Sequence, residues 1–193
     1  MVDHAPAPTG GVARTQAIIE TFNPPTLTIA ACGGCGINLG RLLKPMLSDR
    51  VTLNFFDTSM VNSRPGEQVN IVAGGSGSGG VRTTNATEIQ KAIGTITDEE
   101  LGLADVAIVP FSLAGGTGSV MGPIMVREFA SRGAKVIAVV VADTSYQVAS
   151  TNTLATMKTL TAIARNNKIY LPMMAFSNDK TGRNKVNEIA SAT

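Results

Sequence analysis

Short, continuously apolar runs alternate with stretches of helical periodicity along most of this chain, and that alternation restricts the fold more than any other feature. Leu27–Ala31, Val106–Phe111 and the nearly all β-branched Lys135–Val141 read as strands apolar on both faces. Val51–Phe56, Asn70–Ala73 and Ile169–Phe176 complete a set of six. Between and after them, helical patterns run over Ile37–Lys44, where Pro45 should kink or end the helix, Ala86–Ile96, Val120–Ser131, Thr153–Arg165 and Arg183–Ala190. In Thr153–Arg165 the spacing puts Leu154, Met157, Leu160, Thr161 and Ala164 on one face, the expected buried one. Strands apolar on both faces that alternate with helices belong to a parallel sheet covered on each side. The expected architecture is a doubly wound α/β fold with a mostly parallel sheet, in which ligands bind beyond the carboxyl ends of the strands.

Composition removes several other classes. Of 193 residues, 44% are hydrophobic and 16% charged, which excludes bulk disorder and a coiled coil. Sixteen Lys+Arg against fourteen Asp+Glu leave a net charge of +2, with no basic run, so no nucleic-acid partner is expected. Two cysteines exclude a disulfide scaffold. No apolar run is long enough for a membrane span. The opening MVDHAPAPTGG has neither the basic end nor the apolar stretch of a secretory leader, so a cytoplasmic protein is expected. Residues 1–25, rich in Ala, Pro, Gly and Thr, read as a flexible arm with at most a turn or two of helix over Thr15–Phe22. They carry the only histidine, His4, to which no role is assigned. Residues 26–193 form the folded domain.

The outlier is glycine, at 20 residues. Most of it falls in three loops, each following a strand. The first is Gly33, Gly34, Cys35, Gly36, Ile37, Asn38; the second is Gly74–Gly80, with Gly75, Ser76, Gly77 and Gly79 its candidate contacts; the third is Gly115, Gly116, Thr117, Gly118, Ser119. In a doubly wound sheet all three lie on one edge. Glycines let the backbone approach a phosphate closely, and a helix start offers free N–H groups and the positive end of the helix dipole. One such loop is often only a turn, but a polyphosphate needs several N–H nests around it. Thr117 and Ser119 could instead cap a helix, and Asp57 could be a plain turn residue.

Other chemistries compete for the same residues. Gly34-x-Gly36 with Asp57 about 20 residues on approximates a dinucleotide fingerprint, with the acid on a ribose. That reading leaves the third loop unexplained. Cys32-x-x-Cys35 at a helix start could be a redox pair. A zinc site lacks further ligands, and a Walker loop is excluded because no Gly-Lys-Ser/Thr occurs.

The run Asp105–Ser119, DVAIVPFSLAGGTGS, resembles the signature loop of the tubulin and FtsZ superfamily, GGGTG[ST]G after the fourth strand. Ala114 stands for its first glycine and Val120 for its last. The following Met121–Ile124 and the strand Val136–Val141 resemble the family's continuation. Gly33–Asn38 is similar to the family's first phosphate loop, with Cys35 where a glycine is usual. Gly75–Gly80 is similar to its γ-phosphate-sensing loop. Asp57-Thr58-Ser59 falls where the family has an acid that helps hold the metal, and Ser59 takes that acid's place. Asp143 falls in the ribose-side loop, and Asn178 matches an asparagine near the ribose or base.

The resemblance covers about residues 27–193 and implies a Rossmann-like GTPase-domain architecture. It implies GTP or GDP as ligand, with Mg²⁺ left open by Ser59. In the family an acidic loop beyond the sixth strand activates the hydrolytic water in the next subunit. No residue here matches that loop, so slow or no hydrolysis by the chain alone is expected. An oligomer is expected, with itself or another protein as partner through the C-terminal end. The other readings are a structural or assembly protein that kept the fold without the ligand, and an NAD(P)-binding protein.

Overall fold

A computed structural model describes residues 24–178. The arm, His4, the helix expected at Arg183–Ala190 and the C-terminal end lie outside the described residues. The elements run β1 (Leu27–Cys32), α1 (Gly33–Leu43), a 3₁₀ turn (Lys44–Met46), β2 (Val51–Asp57), β3 (Val69–Ile71), α2 (Ala86–Gly94), α3 (Asp98–Leu101), β4 (Val106–Ser112), α4 (Gly118–Ser131), β5 (Lys135–Ala142), α5 (Gln147–Asn166) and β6 (Met173–Ser177). The six strands form one sheet in the order β3-β2-β1-β4-β5-β6, every pair parallel. The doubly wound α/β architecture read from the sequence is the one observed.

Alternation along the strands sorts side chains to two cores. Ala30, Cys32, Phe56, Phe111 and Val140 point to the face covered by α2, α4 and α5. Ile29, Ala31 and Phe55 point to the face covered by α1. Helix α1 lies close to the sheet because of Gly36. A Cβ there would sit 2.2 Å from the Pro110 carbonyl oxygen. Pro45 ends α1 as expected and starts the 3₁₀ turn. Pro123, inside α4, cannot donate to the Ser119 carbonyl. The Thr156 hydroxyl lies 3.3 Å from that oxygen, but its single proton has nearer acceptors in the Asn152 and Leu113 carbonyls at 2.7 and 3.0 Å.

Four local expectations are corrected. Helix α1 starts at Gly33 rather than Ile37, because packing on the sheet overrides glycine's poor propensity. Helix α3 was not foreseen, although Thr97 and Glu100 form a full capping box. Strand β6 starts at Met173, not Ile169. Helix α5 starts at Gln147, and its buried residues are Ala149, Asn152, Thr156 and Leu160. Of the expected face only Leu160 is buried; Leu154 is 58% exposed. Polar contacts turn this helix by holding Asn152 and Thr156 inward.

Candidate functional site

The carboxyl ends of the strands open into a cavity of about 450 Å³. Gly33, Gly34 and Cys35 reach it from the start of α1, Asp57 from the end of β2, and Gly77 and Gly79 from the second glycine loop. Gly115, Gly116, Thr117 and Gly118 come from the third loop, Asp143 from the end of β5 and Asn178 from the end of β6. The three glycine loops therefore meet at one edge.

Five candidates do not line the cavity. Gly36 faces the sheet. Asn38 is exposed, and its Oδ1 accepts from Arg41. Gly75 folds its N–H back to Ala73, and Ser76 bridges to Ser59. Ser119 is fully buried and donates its hydroxyl to the Gly116 carbonyl.

The lining also includes Cys32, Ser59, Val61, Asn62, Ser78, Gly80, Ser112, Ala114 and Tyr146. Gly80 lies within the second loop, so its place was legible. Nothing local marks Asn62 or Tyr146, which reach the cavity through tertiary packing. Asn62 is held by Arg41. The guanidinium donates to the Asn62 carbonyl, pairs with Glu67 at 2.5 Å and covers the Phe55 ring. It ties the loop after β2 to α1.

Hydroxyls join the loops. The Thr58 and Thr117 hydroxyl oxygens are 2.6 Å apart, and those of Ser78 and Thr117 are 3.1 Å apart. The Ser112 hydroxyl accepts from the N–H groups of Ala114 and Gly115, which shapes the third loop. Loops two and three touch at Gly116, where a Cβ would lie 2.8 Å from Ser78 Cβ and 3.0 Å from the Val81 nitrogen.

The helix starts show the electrostatic plan. The residues at the N-cap positions of α1, α4 and α5 are Cys32, Thr117 and Tyr146, all three on the cavity. None has a side-chain cap or an acid in its first turn. The other two described α-helices both carry acids there: Glu88 in α2, and Asp98, Glu99 and Glu100 in α3. Acids at a helix start neutralise the dipole and its orphan N–H groups. They are missing only where the helices point into the cavity.

Among the described residues no lysine or arginine lines the cavity, and the two acids that do are engaged within the chain. Asp57 accepts from the Thr58 N–H and from Asn62 Nδ2. Burial raises its pKa, and those bonds together with the Ser59 N–H offset part of the rise. Asp143 accepts from the N–H and hydroxyl of Ser145. Burial, with the Asp57 charge second, pushes the Cys32 thiol far up, which removes the redox reading for that sulfur. Asn178 Oδ1 is buried without a hydrogen-bond partner. No group of three or more His, Cys, Asp or Glu suited to a metal occurs among the described residues. No helix there is long and apolar enough to cross a membrane.

No family model matches the chain. It is 30% identical over 151 residues to a phage tubulin-like protein of Pseudomonas phage 201phi2-1, covering 78% of this chain and 47% of that one. The chain thus spans about half the length of that relative. Among solved structures, the phage tubulin PhuZ bound to GDP superimposes with a TM-score of 0.75 at 27% identity, over 88% of this chain and 54% of the other. A PhuZ201 filament superimposes with a TM-score of 0.75 at 26% identity, over 88% and 53%. Sequence relatives, sheet order and the meeting of three glycine loops agree: the chain belongs to the tubulin/FtsZ superfamily.

Proposed function

We propose that this chain binds a guanine nucleotide across its three glycine loops and works within a tubulin-like assembly. The observation that carries the reading is the set of three uncapped, acid-free helix starts at one cavity. Such ends attract anions. With no cation among the described lining residues, those residues would hold a polyphosphate by backbone N–H groups and by the hydroxyls of Thr117 and Ser78. The unpartnered Asn178 Oδ1 supports a donor from the ligand, at the ribose or base end. The similar phage tubulin PhuZ holds GDP, which favours guanine. Mg²⁺ would rest mainly on phosphate oxygens and water, with at most Asp57 or Asp143 nearby.

Hydrolysis by the chain alone is slow or absent in this reading. Both Asp57 oxygens and one Asp143 oxygen already accept hydrogen bonds from their own loops, and no histidine or glutamate is among the described lining residues to activate water. Self-association is supported by the filament among the similar structures and by an apolar rim at the cavity mouth. On that rim Val61 is 87% exposed and Tyr146 53%.

Isothermal titration with GTP, GDP, ATP and NAD tests the proposal. Heat with the guanine nucleotides and none with NAD is expected. Gly116→Asp, which puts a negative charge among the phosphate donors, should abolish binding while the far-UV spectrum stays native. No heat and no melting shift with either guanine nucleotide would refute it and favour a scaffold that kept only the fold.

A further inference from the structure

Helix α5 buries a polar stripe where an amphipathic helix normally buries apolar side chains. Asn152, Thr156 and Thr159 recur at helical spacing on one side. Asn152 is 7% exposed and Thr156 fully buried. The Asn152 amide donates to the Gly80 carbonyl at 3.1 Å and to the Ala114 carbonyl at 2.9 Å. Gly80 closes the second glycine loop, and Ala114 opens the third. Thr156 Oγ1 lies 3.0 Å from the Leu113 carbonyl and accepts from Arg82 Nη1 at 2.6 Å. Thr159 Oγ1 accepts from Arg82 Nη2 at 3.0 Å. Arg82 follows the second loop by two residues. One side of α5 thus holds both loops from behind.

Burying an amide and a hydroxyl costs free energy unless their partners are in place. Leucine would fill the same space without that demand, but would leave two loop carbonyls unpaired. The value of the stripe lies in fixing distances. The first and third loops already meet at Gly33, where a Cβ would lie 3.0 Å from the Gly118 nitrogen. With the uncapped starts of α1 and α4 they can hold two phosphoryl groups. The second loop lines the same cavity at Gly77, Ser78, Gly79 and Gly80, so a longer phosphate chain can draw donors from it as well.

We infer that Asn152 and Arg82 are positioning residues that lock the second loop against the third, and that this lock sets the cavity's preference for a triphosphate over a diphosphate. The inference rests on the proposed reading of the cavity as a nucleotide site. Neither side chain lines the cavity, so neither touches the ligand.

The test is titration of the full chain with GTP and with GDP, for wild type, Asn152→Leu and Arg82→Gln, with a melting curve for each. Both variants should weaken GTP about tenfold, the loss of roughly one hydrogen bond's worth of positioning, and change GDP by less than about twofold. A general loss of structure would weaken both nucleotides alike, so the ratio separates positioning from stability. Equal losses, or unchanged GTP affinity, overturn the lock and leave the nucleotide site standing. Failure of wild type to bind either nucleotide overturns both. If Asn152→Leu does not fold, Arg82→Gln decides alone, since Arg82 is half-buried and its bonds go to side-chain hydroxyls.

Discussion

Replacing Gly36 by alanine sets two effects of known size against each other. Alanine in a helix interior is favoured over glycine by about 1 kcal/mol. Against this, the new Cβ would sit 2.2 Å from the Pro110 carbonyl oxygen, 3.1 Å from its carbon and 3.3 Å from the Ala31 carbonyl carbon. The first distance is more than 1 Å short of an ordinary contact of about 3.5 Å. All three neighbours are backbone atoms in the central strands β1 and β4, so no side chain can swing away. Helix α1 must lift, which loosens the packing of Ile37 and Leu39, both fully buried. Overpacking of this kind costs about 1–3 kcal/mol, and the rigid backbone places it at the upper end. The net loss should be about 1–2 kcal/mol, or roughly 2–8 °C in melting temperature for a domain of this size. The lifted helix also carries Gly33–Cys35 away from the cavity, so nucleotide affinity should fall with stability. Gly94→Ala is the control: it ends α2 and has nothing within 4 Å of its Cβ position. That variant should be neutral or up to about 1 kcal/mol more stable. Thermal and urea unfolding of the pair decide the matter. A Gly36→Ala protein as stable as Gly94→Ala would refute the close approach of α1 to the sheet.

Three further outcomes are expected. Arg41 holds the Glu67 carboxyl below the usual glutamate range, chiefly by hydrogen bonding. The pair's contribution is therefore complete above the ordinary glutamate pKa and is lost as pH falls through the lowered value. Arg41→Ala should flatten melting temperature against pH in that acid window; an unchanged acid slope would contradict the pairing. Thr97→Ala breaks the capping box of α3 and should cost about 1 kcal/mol by urea unfolding. In the folded protein a small alkylating reagent should modify Cys35 and spare Cys32, which is fully buried with its thiol pKa pushed up. GDP should slow the Cys35 reaction, because that residue lines the cavity; equal rates at both thiols would count against the described burial.

The sequence by itself determined the sheet and the meeting of its loops. Strands such as Val106–Ser112 and Lys135–Ala142 are apolar on both faces, and only a parallel sheet covered on both sides can bury them. Glycine density after β1, β3 and β4 marked the loops, since parallel strands put all such loops on one edge. Hydrophobic periodicity could not find the buried side of α5, because Asn152 is held inward by two carbonyls distant in sequence and Thr156 by the Arg82 guanidinium. Glycine itself misled at the start of α1, where Gly33 and Gly34 are helix and not loop. Only the tertiary structure decided which glycines face the cavity and which, like Gly36, face the sheet. It also made Arg41 the tie for the loop that carries Asn62. These are matters of contact between segments far apart in the chain, and local propensity carries no record of them.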